Sequence, residues 1–403
     1  MEEREKTIEE PLTLTDRVVV YLICAMILCF GIAFFATPKK DFSDNENRTL
    51  AKMPEWTFEN IKNGRFTDGI GTYAADHFPM RDSFLGIMTE TERLSGRREI
   101  NGVYIAKDDS LIEVYDAPVN TEKQIAQFTK LAQNVENAQC YLMLVPTAVS
   151  VYSDQLPKNA PDELAQRMQD AVMLQAVKGI YRPTQKGIIQ KIYAAMPEEM
   201  HTIDVYTYLK AEEEQERLYY RTDHHWTTYG AYAGYKAWCD ALGMQPEVYR
   251  MARNTVSEDF RGTIYSKLND PYFGTDTIVS WSDPDWDLTV EYSDTEEVSD
   301  TIYNPEYLGQ KDQYSYFLNN IHPLVTITNK AVSEGAIAVV KDSYANSFVP
   351  FLLNHYHTVY VFDTRYYKGG PSKFINEHPE ITDVLVLYNM NTIDNDTGIG
   401  GIY

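Results

Sequence analysis

Cysteine is scarce, with four in 403 residues. Cys24 and Cys29 fall in one apolar run, and Cys140 and Cys239 sit in apolar contexts that suit buried free thiols. A disulfide-stapled scaffold is therefore excluded, and no Cys/His spacing resembles a structural zinc site. Positive charge is short as well: 36 Lys and Arg stand against 59 Asp and Glu, a formal net charge of −23. That balance argues against nucleic acid as a partner, because binding there depends on neutralising phosphates. It also disfavours a strongly anionic polymer, although local patches can oppose the net sign. The chain has no internal repeat and no low-complexity tract. What remains is an ordinary globular composition, 44% apolar and 24% charged.

One long apolar run is present, VVVYLICAMILCFGIAFFAT from Val18 to Thr37. It is long enough for one bilayer crossing, which takes ~20 residues. The apolar part of a cleaved signal peptide is shorter, ~7–15 residues, and no small-x-small cleavage site follows. The run reads as an uncleaved signal anchor, with a cleaved signal as the competing reading. Arg4, Lys6 and Arg17 before it balance Lys39, Lys40 and Arg48 after it, so flanking charge does not set the orientation. The expected organisation is a short cytoplasmic tail over 1–16, a transmembrane helix over 17–38, a stalk and helical lead-in over 39–95, and a main extracytoplasmic domain over 96–403. Within that lead-in, 39–60 is expected to carry little structure of its own.

The main domain alternates strands and helices. Cys140 to Val145 and Ala336 to Val340 are continuous apolar runs, as buried parallel strands are. Apolar residues at Ile125, Phe128, Leu131 and Val135 keep a helical spacing. Helices are expected over 183–196, 227–242 and 344–354, and strands over 200–205, 358–362 and 384–388. The predicted class is α/β with a mostly parallel sheet. Residues 244–325 are rich in aromatics, Asp, Ser and Thr, and read as a β-rich insertion.

Two segments carry chemistry. Arg221-Thr222-Asp223-His224-His225-Trp226 offers a carboxylate and an imidazole two residues apart. In an extended segment, positions i and i+2 face one side, so Asp223 and His225 would share a site and His224 would turn away. Far downstream, Lys341-Asp342-Ser343-Tyr344 places a serine after a buried strand. Ser343 as nucleophile, His225 as base and Asp223 as its orienting acid make a serine hydrolase or acyltransferase set. The backbone N–H of Tyr344 and the side chain of Asn389 are candidate oxyanion donors. Trp226, Arg365 and Tyr366 are candidate substrate contacts near the same sheet edge. Asp342 reads as a turn former. A metal reading of Asp223, His224 and His225 lacks a further convergent ligand, and no metal or other cofactor is expected.

At Asp223-His224-His225-Trp226 the chain resembles the DHHW family, which is similar to SGNH hydrolase-like domains of the alginate O-acetyltransferase type. Ser43 to Leu50, Phe78-Pro79-x-Arg81-Asp82, Asn101 to Ile105, Lys311 to Leu318 and Lys341 to Phe348 carry the same likeness across the chain. The resemblance implies a flavodoxin-like, circularly permuted SGNH fold with the Asp-x-His segment ahead of the serine. Asp223, His225 and Ser343 match the acetyltransferases' triad positions. The implied activity is O-acetyl transfer to, or acetyl removal from, hydroxyls of a cell-surface polysaccharide through an acyl-serine, at the cell membrane. A membrane-bound O-acyltransferase is the implied partner. Lys341 stands where those enzymes have glycine, which favours the alternative of a catalytically inactive surface-glycan binding or assembly protein on the same fold.

Overall fold

The computed structural model describes residues 13–170, 183–268, 270, 273–393 and 395–403, so most of the expected tail lies outside the described residues. The chain divides into two units, Met1–Met88 and Thr89–Tyr403.

In the first unit the apolar run forms the helix Leu14–Ala36. Thr13 and Asp16 cap its N-terminus reciprocally, satisfying donors that have no partner inside the helix. None of its residues is buried. Residues 39–60 were expected to be nearly structureless, and they are not. Phe42–Ser43 pairs antiparallel with Arg48–Thr49, and charge clips this hairpin down. Arg48 bonds both oxygens of the buried Asp76 at 2.5 and 3.0 Å. The guanidinium holds that carboxyl down to about 2. Arg81 pairs with Glu46 inside the same cluster. Short helices Phe58–Lys62 and Arg65–Asp76 follow, then Arg81–Leu94, which runs into the second unit.

The second unit is a mixed α/β fold around one eight-stranded sheet. Five neighbouring strands run parallel, in the order Thr358–Phe362, Ala336–Lys341, Ile381–Asn389, Gln139–Val145, Met200–Thr202. All six residues of Ala336–Lys341 are buried, as a strand covered on both faces requires. The rest of the sheet is antiparallel. Leu324–Asn329 pairs with Thr358–Phe362 and with Leu288–Tyr292. The stretch 244–325, expected to be one insertion, is thus divided. Ala252–Phe260 and Asp276–Ser282 form a separate two-stranded ribbon, whereas Leu288–Tyr292 extends the main sheet.

The expected helix over 344–354 is also broken. A 3-10 turn, Ser343–Ser347, gives way to the short helix Val349–Leu352. Pro350 has no N–H to return to the Asn346 carbonyl, so one continuous α-helix cannot form there. The three parallel strands Ala336–Lys341, Thr358–Phe362 and Ile381–Asn389 end at the same edge. Beyond that edge lie Ser343, Asp363 and Thr392.

Candidate active site

The Asp-x-His segment is a tight loop between Tyr219 and Trp226, which face each other in an antiparallel bridge. Thr227 then caps the helix Thr228–Leu242 by accepting the Gly230 N–H. The expectation of an extended segment is corrected here. The Asp223 carboxylate accepts the His225 backbone N–H at 3.0 Å, a local Asx turn that folds the loop back. That turn brings the two side chains together as well: His225 Nδ1 lies 2.5 Å from Asp223 Oδ1. His224 does not turn away. Its ring lies 3.9 Å from that of His225, and its Nδ1 is 2.6 Å from Thr263 Oγ1.

Asp223 is buried and saturated. Its second oxygen accepts the Thr263 N–H at 2.8 Å and the Thr263 hydroxyl at 3.1 Å. Neighbouring Gly262 allows this approach, since a Cβ there would sit 2.2 Å from the carboxylate. Burial pushes the Asp223 carboxyl up, but the adjacent imidazoles and their hydrogen bonds outweigh it and hold the group well below the usual range. Burial and the neighbouring His224 pull His225 below its ordinary value, against the opposing field of Asp223. Asp223 is therefore ionised and His225 neutral near pH 7. With Nδ1–H donating to Asp223, Nε2 is left as an acceptor.

That nitrogen lies 2.8 Å from Ser343 Oγ. Serine, imidazole and carboxylate thus form one continuous relay, although His225 and Ser343 are 118 positions apart. Ser343 is partly exposed, whereas His225 and Asp223 are buried. Tyr314 covers the imidazole, with ring centroids 3.6 Å apart and planes 10° apart. Its hydroxyl donates to the Ser343 carbonyl at 3.2 Å and lies 3.1 Å from Ser347 Oγ.

The two segments also lock each other directly. Trp226 Nε1–H donates to the Tyr344 carbonyl at 2.8 Å, and the Tyr344 hydroxyl donates to the His224 carbonyl.

Several expected contacts fall elsewhere. Asp342 accepts the Tyr344 N–H at 2.9 Å. Its other oxygen accepts the Asn389 N–H and Nδ2–H, both at 2.7 Å, and the Thr392 hydroxyl at 2.6 Å. The Tyr344 N–H is therefore not a free oxyanion donor, and one of the two Asn389 Nδ2 hydrogens is likewise committed to Asp342. Trp226 is fully buried, so it supports the site from beneath and offers no surface to a substrate. Arg365 is bonded to both oxygens of Asp363, while Tyr366 is exposed. Lys341 points to Asp363, with 3.6 Å between Nζ and a carboxylate oxygen.

Asp223, His224 and His225 present ligand-type atoms within 4.8 Å of one another. Both oxygens of Asp223, both ring nitrogens of His225 and Nδ1 of His224 already have partners.

Thr263, Gly262 and Tyr314 were missed by sequence reasoning. Gly262-Thr263 at the start of the helix Thr263–Leu268 looks like an ordinary helix start, and Tyr314 is one of 30 tyrosines. Asn346, one 3-10 turn beyond Ser343, is buried, and its Oδ1 has no hydrogen-bond partner among the described residues.

A family model described as "DHHW protein" matches residues 99–362. A probable alginate O-acetylase, AlgJ of Pseudomonas syringae pv. tomato, is 26% identical over 180 residues, 42% of this chain and 41% of that protein. The match thus spans under half the length of that curated relative. The crystal structure of a DHHW family protein from Eubacterium siraeum is 25% identical and covers 75% of this chain and 95% of its own, with a TM-score of 0.59. Bacillus cereus PatB1 with a sulfonyl adduct, 20% identical, covers 75% and 98% with a TM-score of 0.56, a likeness of fold.

Proposed function

The chain belongs to the DHHW family, and from that premise we propose that it is a membrane-anchored, extracytoplasmic O-acetyltransferase or acetylesterase. Its substrate class is the hydroxyls of a cell-surface polysaccharide. The observation that carries this reading is the 2.8 Å contact between Ser343 Oγ and His225 Nε2, backed by the 2.5 Å contact from Nδ1 to Asp223. Similarity to a probable alginate O-acetylase supports the acetyl and polysaccharide parts. The long apolar helix Leu14–Ala36 supports anchoring. The order of the segments supports a circularly permuted SGNH arrangement.

In this reading Ser343 Oγ attacks the acetyl carbonyl carbon while His225 Nε2 takes the hydroxyl proton. Asp223 stabilises the imidazolium that forms. The Ser343 N–H has no acceptor among the described residues, and it is the donor left at the turn for the developing oxyanion. Collapse of the intermediate breaks the bond to the donor's leaving oxygen or sulfur, which takes the proton back from His225. An acetyl-serine remains. His225 then deprotonates a sugar hydroxyl, or water, which attacks the acetyl carbon and releases Ser343. Delivery of acetyl groups by a membrane-bound O-acyltransferase belongs to the same reading.

The test is to incubate the full chain with p-nitrophenyl acetate and map any single-acetyl mass increase. The expected outcome is a label on the Ser343 peptide that is lost in Ser343→Ala and His225→Ala, both still folded. A folded wild-type chain that neither labels nor turns over acetyl esters would sink the reading and favour glycan binding without catalysis.

A further inference from the structure

The unit Met1–Met88 wears an unusual surface. In residues 89–403 the exposed large apolar side chains among the described residues are Leu94, Val119, Tyr249, Val298 and Tyr366. Residues 37–88 expose more of them in far fewer positions. Trp56 is 77% exposed, Phe58 82%, Met80 67% and Phe84 44%. A soluble surface scatters such residues singly, and a concentration of them marks a contact.

The placement of Phe84 and of its neighbour Phe78 says what covers this surface. Phe78 stacks on Phe30 of the apolar helix at 5.2 Å, and Phe84 lies 5.8 Å from the same ring. Tyr73 meets Phe34 edge-on at 6.2 Å. Phe30 is six residues before the helix end at Ala36, about 9 Å along the axis at 1.5 Å per residue. A bilayer that covers Phe30 therefore covers Phe78 and Phe84 at the same level. The level of the headgroups is marked too. The Lys39 ammonium sits 3.5 Å from the Phe34 ring centroid and reaches back to the Phe34 carbonyl, as a cation does when its stem lies along apolar surface and its head in water.

We propose that residues 53–88 form a collar seated in the outer-leaflet interface of the lipid bilayer around the apolar helix. The inference rests on the reading of that helix as a retained anchor. Trp56, Phe58, Phe78, Met80 and Phe84 enter the headgroup and upper acyl region, as the apolar face of an interfacial helix does. Trp56 suits that zone, since its ring is apolar and its N–H finds partners there. The Arg48–Asp76–Arg81 cluster holds the turn between the helices Arg65–Asp76 and Arg81–Leu94 against that surface.

Trp56 makes the test direct. Trp226, Trp238 and Trp281 are buried, and Trp286 is partly covered. The full chain is reconstituted into phosphatidylcholine vesicles, and intact mass first establishes whether the apolar helix is retained. Emission is then recorded with acyl chains brominated near the headgroup, and separately with aqueous iodide. Trp56→Phe supplies the background, and Phe84→Trp in that background supplies a second probe.

The expected result is roughly twofold quenching of both probes by bilayer bromine, with little quenching by iodide, as interfacial insertion requires. A retained helix with both probes open to iodide and untouched by bromine overturns the collar alone, and assigns the apolar surface to a protein partner. Loss of the helix from the mature chain overturns the anchoring reading and the collar with it.

Discussion

Two buried aspartates flank the serine turn, and each accepts four hydrogen bonds. Asp223 takes the backbone and ring N–H of His225 and the N–H and hydroxyl of Thr263. Asp342 takes the N–H of Tyr344, the N–H and Nδ2–H of Asn389 and the Thr392 hydroxyl. In number the two are equal. They differ in one donor. Asp223 holds an imidazole, which can accept a second proton at its far nitrogen, and Asp342 holds only amides and a hydroxyl, which cannot. In the proposed mechanism the first arrangement moves charge. The second ties the end of one strand to the turn after another, and so fixes where Ser343 stands. Burial and saturation are therefore common to both; the titratable partner is what sets Asp223 apart as the candidate catalytic acid.

The sharpest way to break this comparison is Asp223→Asn. The acetyl-ester rate is expected to fall about 10⁴-fold, because the amide no longer selects the working imidazole tautomer. Steady-state kinetics beside a thermal melt would check it, and a variant within tenfold of wild type would end the distinction. Asp342→Ala should act on stability first. Leaving its buried donors unpaired costs about 3 kcal/mol, read in urea unfolding. The fraction that stays folded should lose far less rate than the Asp223 variant. If both variants lose the same rate at the same stability, the two carboxylates share one role.

Tyr314→Phe keeps the ring over His225 and removes only the hydroxyl bonded to the Ser343 carbonyl. About 1 kcal/mol is expected, seen as a few-fold fall in kcat with KM nearly unchanged. The pH profile should give the smallest effect. In the proposed mechanism the base is neutral His225, and its pKa in the folded chain lies below the ordinary 6.5. The neutral form thus persists to lower pH, and the acid limb of kcat/KM should have its midpoint below 6.5. A midpoint above that value would mean that the field of Asp223 prevails over burial.

Periodicity and apolar runs gave the central parallel strands to within a few residues, whereas the stretch 200–205, expected as one strand, is the strand Met200–Thr202 followed by a helix that begins at Val205. Ala336–Val340 and Cys140–Val145 are apolar and buried throughout, so local pattern and burial agree there. The same method failed where side chains override pattern. Residues 39–60 are polar and read as a stalk, yet an Arg48–Asp76 ion pair organises them. The Asp223 loop reads as extended, yet its own carboxylate folds it. Leu288–Tyr292 has the alternation of an isolated hairpin, and only a distant partner strand, Leu324–Asn329, places it in the main sheet.

The sequence by itself determined the reactive types and their pairing: a serine after a buried strand, and an acid and imidazole two residues apart. Short-range chemistry sufficed there, because apolar runs and motif spacing are local properties. Tertiary structure alone decided which donors were free. Tyr344, Asn389 and Trp226 all lie in the right segments, but hydrogen bonds to Asp342 and burial against Phe348 had already engaged them. It alone brought Thr263 to Asp223 and Tyr314 to His225. A hydrogen bond is directional and uses up its donor, so availability at a site depends on neighbours that no local pattern encodes.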